Sequence, residues 1–228
     1  MTPTPSPDLG GRTVLVTGAG AGLGAALAFA AGRAGAEVIL LGRTVRKLES
    51  VHDRIVDVGG PQPAILPLDL EGATPDDYSD IANRIDEQCG RLDALIHNAA
   101  ITGPLTPLEQ YPPLEWMRVM QVNLNAPAFL TQACIPLLRK APAPRLLFIG
   151  DQRVQAYWGA YGVAKAGLDA LATMLEQELT GSRPIRVETY YPAPMRTDMR
   201  VQNFPGALPE EAEPVEPIAA ELVARLVD

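Results

Sequence analysis

A chain of 228 residues with 47% hydrophobic and 20% charged residues has the length and apolar content for one large domain with a full core. No apolar run approaches the roughly 18 residues a membrane helix needs, and the N-terminus MTPTPSPDLGGR has neither the basic region nor the apolar core of a secretory signal. The net charge of −8 gathers after Leu208, where Glu210, Glu211, Glu213, Glu216, Glu221 and Asp228 face only Arg225; with no basic stripe to meet a phosphate backbone, neither nucleic acid nor membrane is an expected partner.

Residues 1–11 read as a proline-rich flexible arm, residues 12–208 as a single domain, and residues 209–228 as an acidic segment with a terminal helix. Within the domain, apolar strands alternate with helices. TVLVT (13–17) is a β-branched strand, and an alanine- and leucine-rich helix runs from about 22 to 33. EVILL (37–41) is a second strand, followed by a helix that closes at Gly59 and Gly60. AILPLDL (64–70) is a third, and the helix DDYSDIANRIDEQC stops at Gly90. LDALIHN (92–98) is a fourth. A long helical region over 113–140 is expected to bend near Pro127, whose ring cannot continue the ladder. RLLFI (145–149) is a fifth strand, 159–180 a helix, and IRVETYY (185–191) a sixth strand. Apolar strands separated by helices predict a Rossmann-type, doubly wound α/β fold with a parallel sheet of six strands. Its ligand crevice is expected beyond the C-terminal ends of those strands.

The loop TGAGAGLG (17–24) joins the first strand to the first helix. Gly18 allows the turn, while Gly22 and Gly24, with Leu23 between them, are expected to let the helix N-terminus approach a pyrophosphate. The second strand ends in Gly42 and Arg43, with no carboxylate for a ribose 2′-hydroxyl; Glu37 begins the strand, at the wrong end. Arg43 suits a 2′-phosphate, so NADP(H) is favoured over NAD(H). Further along, Tyr161 and Lys165 stand four residues apart on one helical face. They form a candidate acid–base couple in which the ammonium is expected to lower the phenol pKa.

With these residues placed, nearly the whole chain resembles the short-chain dehydrogenase/reductase family. Thr17, Gly18, Gly22 and Gly24 match its cofactor loop. The resemblance implies that Asp69 and Leu70 contact adenine, that Asn98 and Ala99 (in HNAA) complete the cofactor site, and that Pro192 and Thr197 (in YPAPMRT) meet the nicotinamide. Tyr161 and Lys165 match the family's Tyr-x-x-x-Lys. By the same resemblance Asn123 supports a water-mediated proton relay, and Lys165 also binds the nicotinamide ribose. AYWGAYGVAK is similar to a YciK-type bacterial subgroup. The implied activity is hydride transfer between nicotinamide and a small carbonyl or alcohol substrate. The family also implies a homodimer or homotetramer, paired through helices such as the small-residue helix over 159–179.

Two departures stand out. The family serine after the fifth strand is absent, since no serine lies between Ser79 and Ser182. Alignment by the strand end puts Gly150 and Asp151 at its place. Asp151 is the expected replacement; Gln152 as the donor, or no donor at all, are the alternatives. Without a donor the protein is a weak enzyme, or a cofactor-binding sensor or scaffold. The usual seventh strand is also missing from the pattern. Tyr157 and Trp158 are candidate pocket residues, and Met195, Met199 and Phe204 a candidate apolar lid. His52 and His97 lack the companions of a metal site. Cys89 and Cys134 read as reduced thiols of a cytoplasmic protein.

Overall fold

Short apolar runs bounded by glycine, proline and polar turns set the strands. In the computed structural model, which describes residues 7–227, these are β1 (Thr13–Thr17), β2 (Glu37–Gly42), β3 (Ala64–Pro67), β4 (Ala94–His97), β5 (Arg145–Ile149) and β6 (Arg186–Tyr190). They form one sheet in the order β3-β2-β1-β4-β5-β6, with every neighbour parallel. Side chains alternate across it. Leu15, Ile39 and Leu41 enter one core layer, while Val14, Val16, Val38 and Leu40 enter the other. Helices cover both faces, which is why the strand centres are apolar and most of the polar residues of β1 to β5 sit at strand ends.

One face holds α3 (Pro75–Cys89), α5 (Ala126–Leu138) and α6 (Gly159–Glu178); the other holds α1 (Gly22–Arg33), α2 (Val45–Asp57) and α8 (Val215–Ala224). Local chemistry marks the ends of α3. Thr74 and Asp77 form a reciprocal capping box, Pro75 opens the first turn, and Gly90 closes the helix at φ 73°. Of two shorter helices, α7 (Asp198–Asn203) borders the crevice and α4 (Pro113–Met120) packs against α6.

Several elements differ from the sequence reading. The strands expected over 64–70 and 92–98 are shorter, because Leu68, Asp69, Leu70 and Asn98 leave the ladder to line the crevice. Helix 113–140 continues through Pro127, and its irregularity lies just upstream, as a π turn over Gln121–Asn125. Pro127 has no N–H for the carbonyl one turn back, so the ladder widens there. Of the arm 1–11, residues 1–6 lie outside the described residues. Leu9, by contrast, is fully buried and its N–H donates to the Ala34 carbonyl at 2.8 Å. The acidic tail is likewise built into the body: Ile218, Ala219, Leu222, Val223 and Leu226 share a core layer with β1 and α1.

Candidate active site

Strand order reverses between β1 and β4, and there a crevice of about 430 Å³ opens past the strand ends. Thr17 ties its two walls together. Its hydroxyl donates to the Ile96 carbonyl and accepts from the backbone N–H groups of Asn98 and Ala99 at 3.0 and 3.1 Å. Asn98 Nδ2 returns a bond to the Thr17 carbonyl at 3.0 Å. Gly18 and Gly22 adopt φ of 66° and 54°, open to glycine with little strain. Helix α1 has no side-chain cap at Ala21 and no acidic residue in its first turn, and Gly20, Ala21, Gly22 and Leu23 border the crevice. Uncapped N–H donors at a positive helix end beside side-chain-free backbone fit a dinucleotide pyrophosphate. Gly24 does something else. It does not line the crevice; a Cβ there would meet the Gly18 carbonyl at 2.2 Å and Asn98 Nδ2 at 2.4 Å. Its role is to seat α1 against the loop, so its part in bringing the helix N-terminus to a pyrophosphate is indirect.

At the far end, Arg43 borders the crevice beyond β2, with Lys47 from α2 beside it, while Glu37 sits at the opposite end of the strand. Two exposed cations suit a 2′-phosphate better than a bare hydroxyl. Asp69 and Leu70 line the same end.

The reacting end is built by α6. Residues Tyr161, Ala164, Lys165, Leu168 and Ala172 are all buried, one helical stripe pressed against the sheet. Lys165 is 4% exposed, and its Nζ donates to the Ile149 carbonyl at 2.6 Å. Burial drives its pKa down to about 8, with Asp151 and Asp169 opposing. Tyr161 donates its hydroxyl to Asp151 Oδ2 at 2.9 Å. Its phenol is pushed well above the ordinary value, first by burial, then by the charge and hydrogen bond of Asp151, with Arg153 opposing. The expected lowering by the lysine fails here, because Lys165 Nζ lies 5.9 Å from the ring centroid and bonds elsewhere.

Two glycines bring Asp151 to this point. A side chain at Gly150 would meet Tyr191 and Thr189 at 2.6 and 2.7 Å, so position 150 could hold one only if those side chains shifted. Gly162 lets the Arg153 carbonyl pack onto α6, where a Cβ would come within 2.5 Å. The loop therefore folds back, and Asp151 meets Tyr161 on one oxygen and Arg153 Nε at 3.3 Å on the other. Gln152 is exposed and outside the crevice. Asn123 is 1% exposed within the π turn and also stands back from the crevice. Its amide exchanges hydrogen bonds with the backbone of Ile101 at 2.9 and 2.8 Å, fixing the loop after β4.

Residues 12–207 match the family model for short chain dehydrogenase. The chain belongs to the short-chain dehydrogenase family. It is 38% identical over 206 residues to the uncharacterized oxidoreductase YciK of Escherichia coli K12, a span covering 89% of this chain and 81% of YciK. A short chain dehydrogenase structure from Pseudomonas syringae matches it with a TM-score of 0.94 at 42% identity, over 97% of this chain and 91% of that one. Another, from Escherichia coli CFT073 and complexed with NADPH, gives 0.94 at 36% identity, over 99% and 94% of the two chains. As a member of this family the protein is an oxidoreductase.

Within this short-chain dehydrogenase, Pro192 and Thr197 line the crevice, and Thr197 also caps α7 by accepting from the Arg200 N–H at 3.3 Å. Trp158, Met195, Met199 and Phe204 line it too, whereas Tyr157 is 61% exposed and outside it. Tyr157 holds φ 73°, the left-handed turn before Trp158. Sequence reasoning missed Gly20, Lys47 and Arg200. The glycine loop was a usable signal for the first, and the helical offset from Arg43 for the second. Nothing local marks Arg200. His97 is buried and neutral, its pKa driven down to about 3 by desolvation and then by Lys165. It stacks on Phe148 and shares a hydrogen bond with Thr131 at 2.7 Å.

Proposed function

We propose that this short-chain dehydrogenase is an NADP(H)-dependent, cytoplasmic oxidoreductase that interconverts a carbonyl and an alcohol, with Tyr161 as the acid–base group. The observation that carries this reading is the convergence, in one crevice, of the Gly18–Leu23 backbone, the Arg43–Lys47 cation pair and the buried Tyr161–Lys165 couple. When bound, the nicotinamide supplies or accepts the hydride. Gly18, Gly22, Leu23, Asn98 and Ala99 would hold its dinucleotide frame, with Asp69 and Leu70 at the adenine and Pro192 and Thr197 at the carboxamide. Tyr161, protonated and poised, delivers a proton to a carbonyl oxygen, so reduction is the favoured direction. Lys165 anchors the ribose side. Asn123 holds the π turn, where a widened ladder leaves a carbonyl free for water.

A second reading rests on the Tyr161–Asp151 hydrogen bond, which occupies the phenol a substrate would need. It makes the protein a cofactor-binding sensor or scaffold of impaired activity. Titration with NADPH and NADH, followed by cofactor absorbance with ketones, aldehydes and quinones, separates the two. The enzyme reading expects tighter NADPH binding and turnover with at least one acceptor. In Tyr161→Phe, carbonyl turnover drops about 100- to 10,000-fold while NADPH affinity stays within about twofold. NADPH binding with no turnover of any acceptor supports the sensor.

A further inference from the structure

Asp151 stands where the proton-accepting chemistry of the crevice is decided, and it brings the opposite hydrogen-bonding character from a serine. A carboxylate only accepts. Its Oδ1 is engaged by Arg153 and its Oδ2 by the Tyr161 hydroxyl. Each oxygen has a second lone pair, so Oδ2 can take a further donor beside the phenol. Any reacting atom within reach of Tyr161 Oη also lies near Oδ2. A carbonyl oxygen there sets acceptor against acceptor, and the negative charge it gains on reduction deepens the repulsion. An N–H there completes the lone pair instead, and a cationic N–H adds charge assistance.

The rest of the pocket agrees. Lys165 is held back from the phenol, its Nζ tied to the Ile149 carbonyl and 5.9 Å from the Tyr161 ring centroid, and Arg153, the nearer cation, takes only Oδ1. Trp158 lies 5.4 Å from Tyr161 and 6.1 Å from Phe204, ring centroid to centroid, giving flat aromatic surfaces next to the acid. These faces already receive cations, since Arg153 rests over Trp158 and Arg200 over Phe204.

We propose that the preferred substrate presents an N–H to Asp151, as an iminium or a protonated nitrogen heterocycle whose C=N bond is reduced. The proposal rests on the hydride-transfer reading of this crevice and changes the reacting bond from C=O to C=N. NADPH is the reductant. A hydride, with its electron pair, forms a new C–H bond at the iminium carbon. The C=N π pair moves to nitrogen, which keeps its N–H and becomes a neutral amine, and NADPH becomes NADP+. Tyr161 transfers no proton in that step. It holds Oδ2 in place, and Asp151 is the catalytic residue that binds the reacting nitrogen.

The test uses dihydroisoquinolinium and a neutral bicyclic ketone of similar size, tetralone. Calorimetry on the full chain, with and without NADP+, is expected to show the cation binding at least about tenfold tighter than the ketone. Asp151→Asn, of the same shape, is expected to erase that preference, and Asp151→Ser to shift turnover toward the ketone. Equal binding of the two compounds in the wild type, or a preference that survives in Asp151→Asn, overturns the proposal. Reduction of tetralone without such a preference overturns it while leaving the hydride-transfer reading intact. Selective binding of the cation with neither compound reduced overturns both.

Discussion

Lys165 bears a large electrostatic cost in exchange for its position. Taking its pKa from 10.5 to about 8 corresponds to about 3 kcal/mol of stability lost to burying the charge. The native state releases this proton first. The cost is therefore complete below pH 8, fades between 8 and 10.5 as the unfolded chain binds more protons, and is gone above that range. Lys165→Met should accordingly unfold at higher urea near neutral pH, by about 2 kcal/mol after losing the bond to Ile149. The gain should shrink when the melts are repeated near pH 10. A gain that is the same at both pH values would mean that the native lysine is not depressed. Arg43 and Lys47 give a second residue-scale prediction. Replacing both by Ala should weaken NADPH roughly 10- to 100-fold and leave NADH nearly unchanged, because only the former has a 2′-phosphate to lose. Equal weakening of the two cofactors in a binding titration would place the cations elsewhere on the ligand.

At the scale of elements, the crevice depends on backbone approaches that admit no side chain. Gly24→Ala would drive a methyl into the Gly18 carbonyl at 2.2 Å and Asn98 Nδ2 at 2.4 Å. The Gly18 carbonyl is backbone and Asn98 Nδ2 is pinned by its bond to the Thr17 carbonyl, so α1 must shift. We expect a loss of about 2–3 kcal/mol in urea unfolding and NADPH binding weakened at least about tenfold. Unchanged stability would show that the loop yields easily. The loop before α6 follows the same logic. Gly150 and Gly162 set its path, and that path delivers Asp151 to Tyr161. The sequence pattern placed α6 and its tyrosine correctly, since one buried stripe repeats at helical spacing. It did not foresee α7, whose six residues carry too short a periodicity to stand out.

For the whole molecule, the acidic C-terminal segment joins the core. Leu222 is fully buried in the layer shared by β1 and α1. Leu222→Ala should cost about 2–5 kcal/mol and lower the urea midpoint, as truncation of any well-packed core leucine does. A cost under about 1 kcal/mol would mark the helix as a loosely docked appendage. The small residues of α6 leave Val163 and Met174 about half exposed on its outer side, which fits pairing of two copies through this helix. Sedimentation at micromolar concentration should then return a dimer or tetramer mass.

The sequence alone settled the alternation of strands and helices, the glycine turn, the tyrosine and lysine on one helical face, and the lack of a serine. Each is a short-range pattern whose period or steric demand can be read from neighbouring residues. Tertiary structure decided what those patterns do. Gly150 packs closely against Tyr191 and Thr189, and the fold-back over Gly162 joins Asp151 to Tyr161. Burial then raises the phenol that its neighbouring lysine was expected to lower. Hydrogen bonds and desolvation depend on which distant backbones meet, and the spacing of residues along a chain does not specify that.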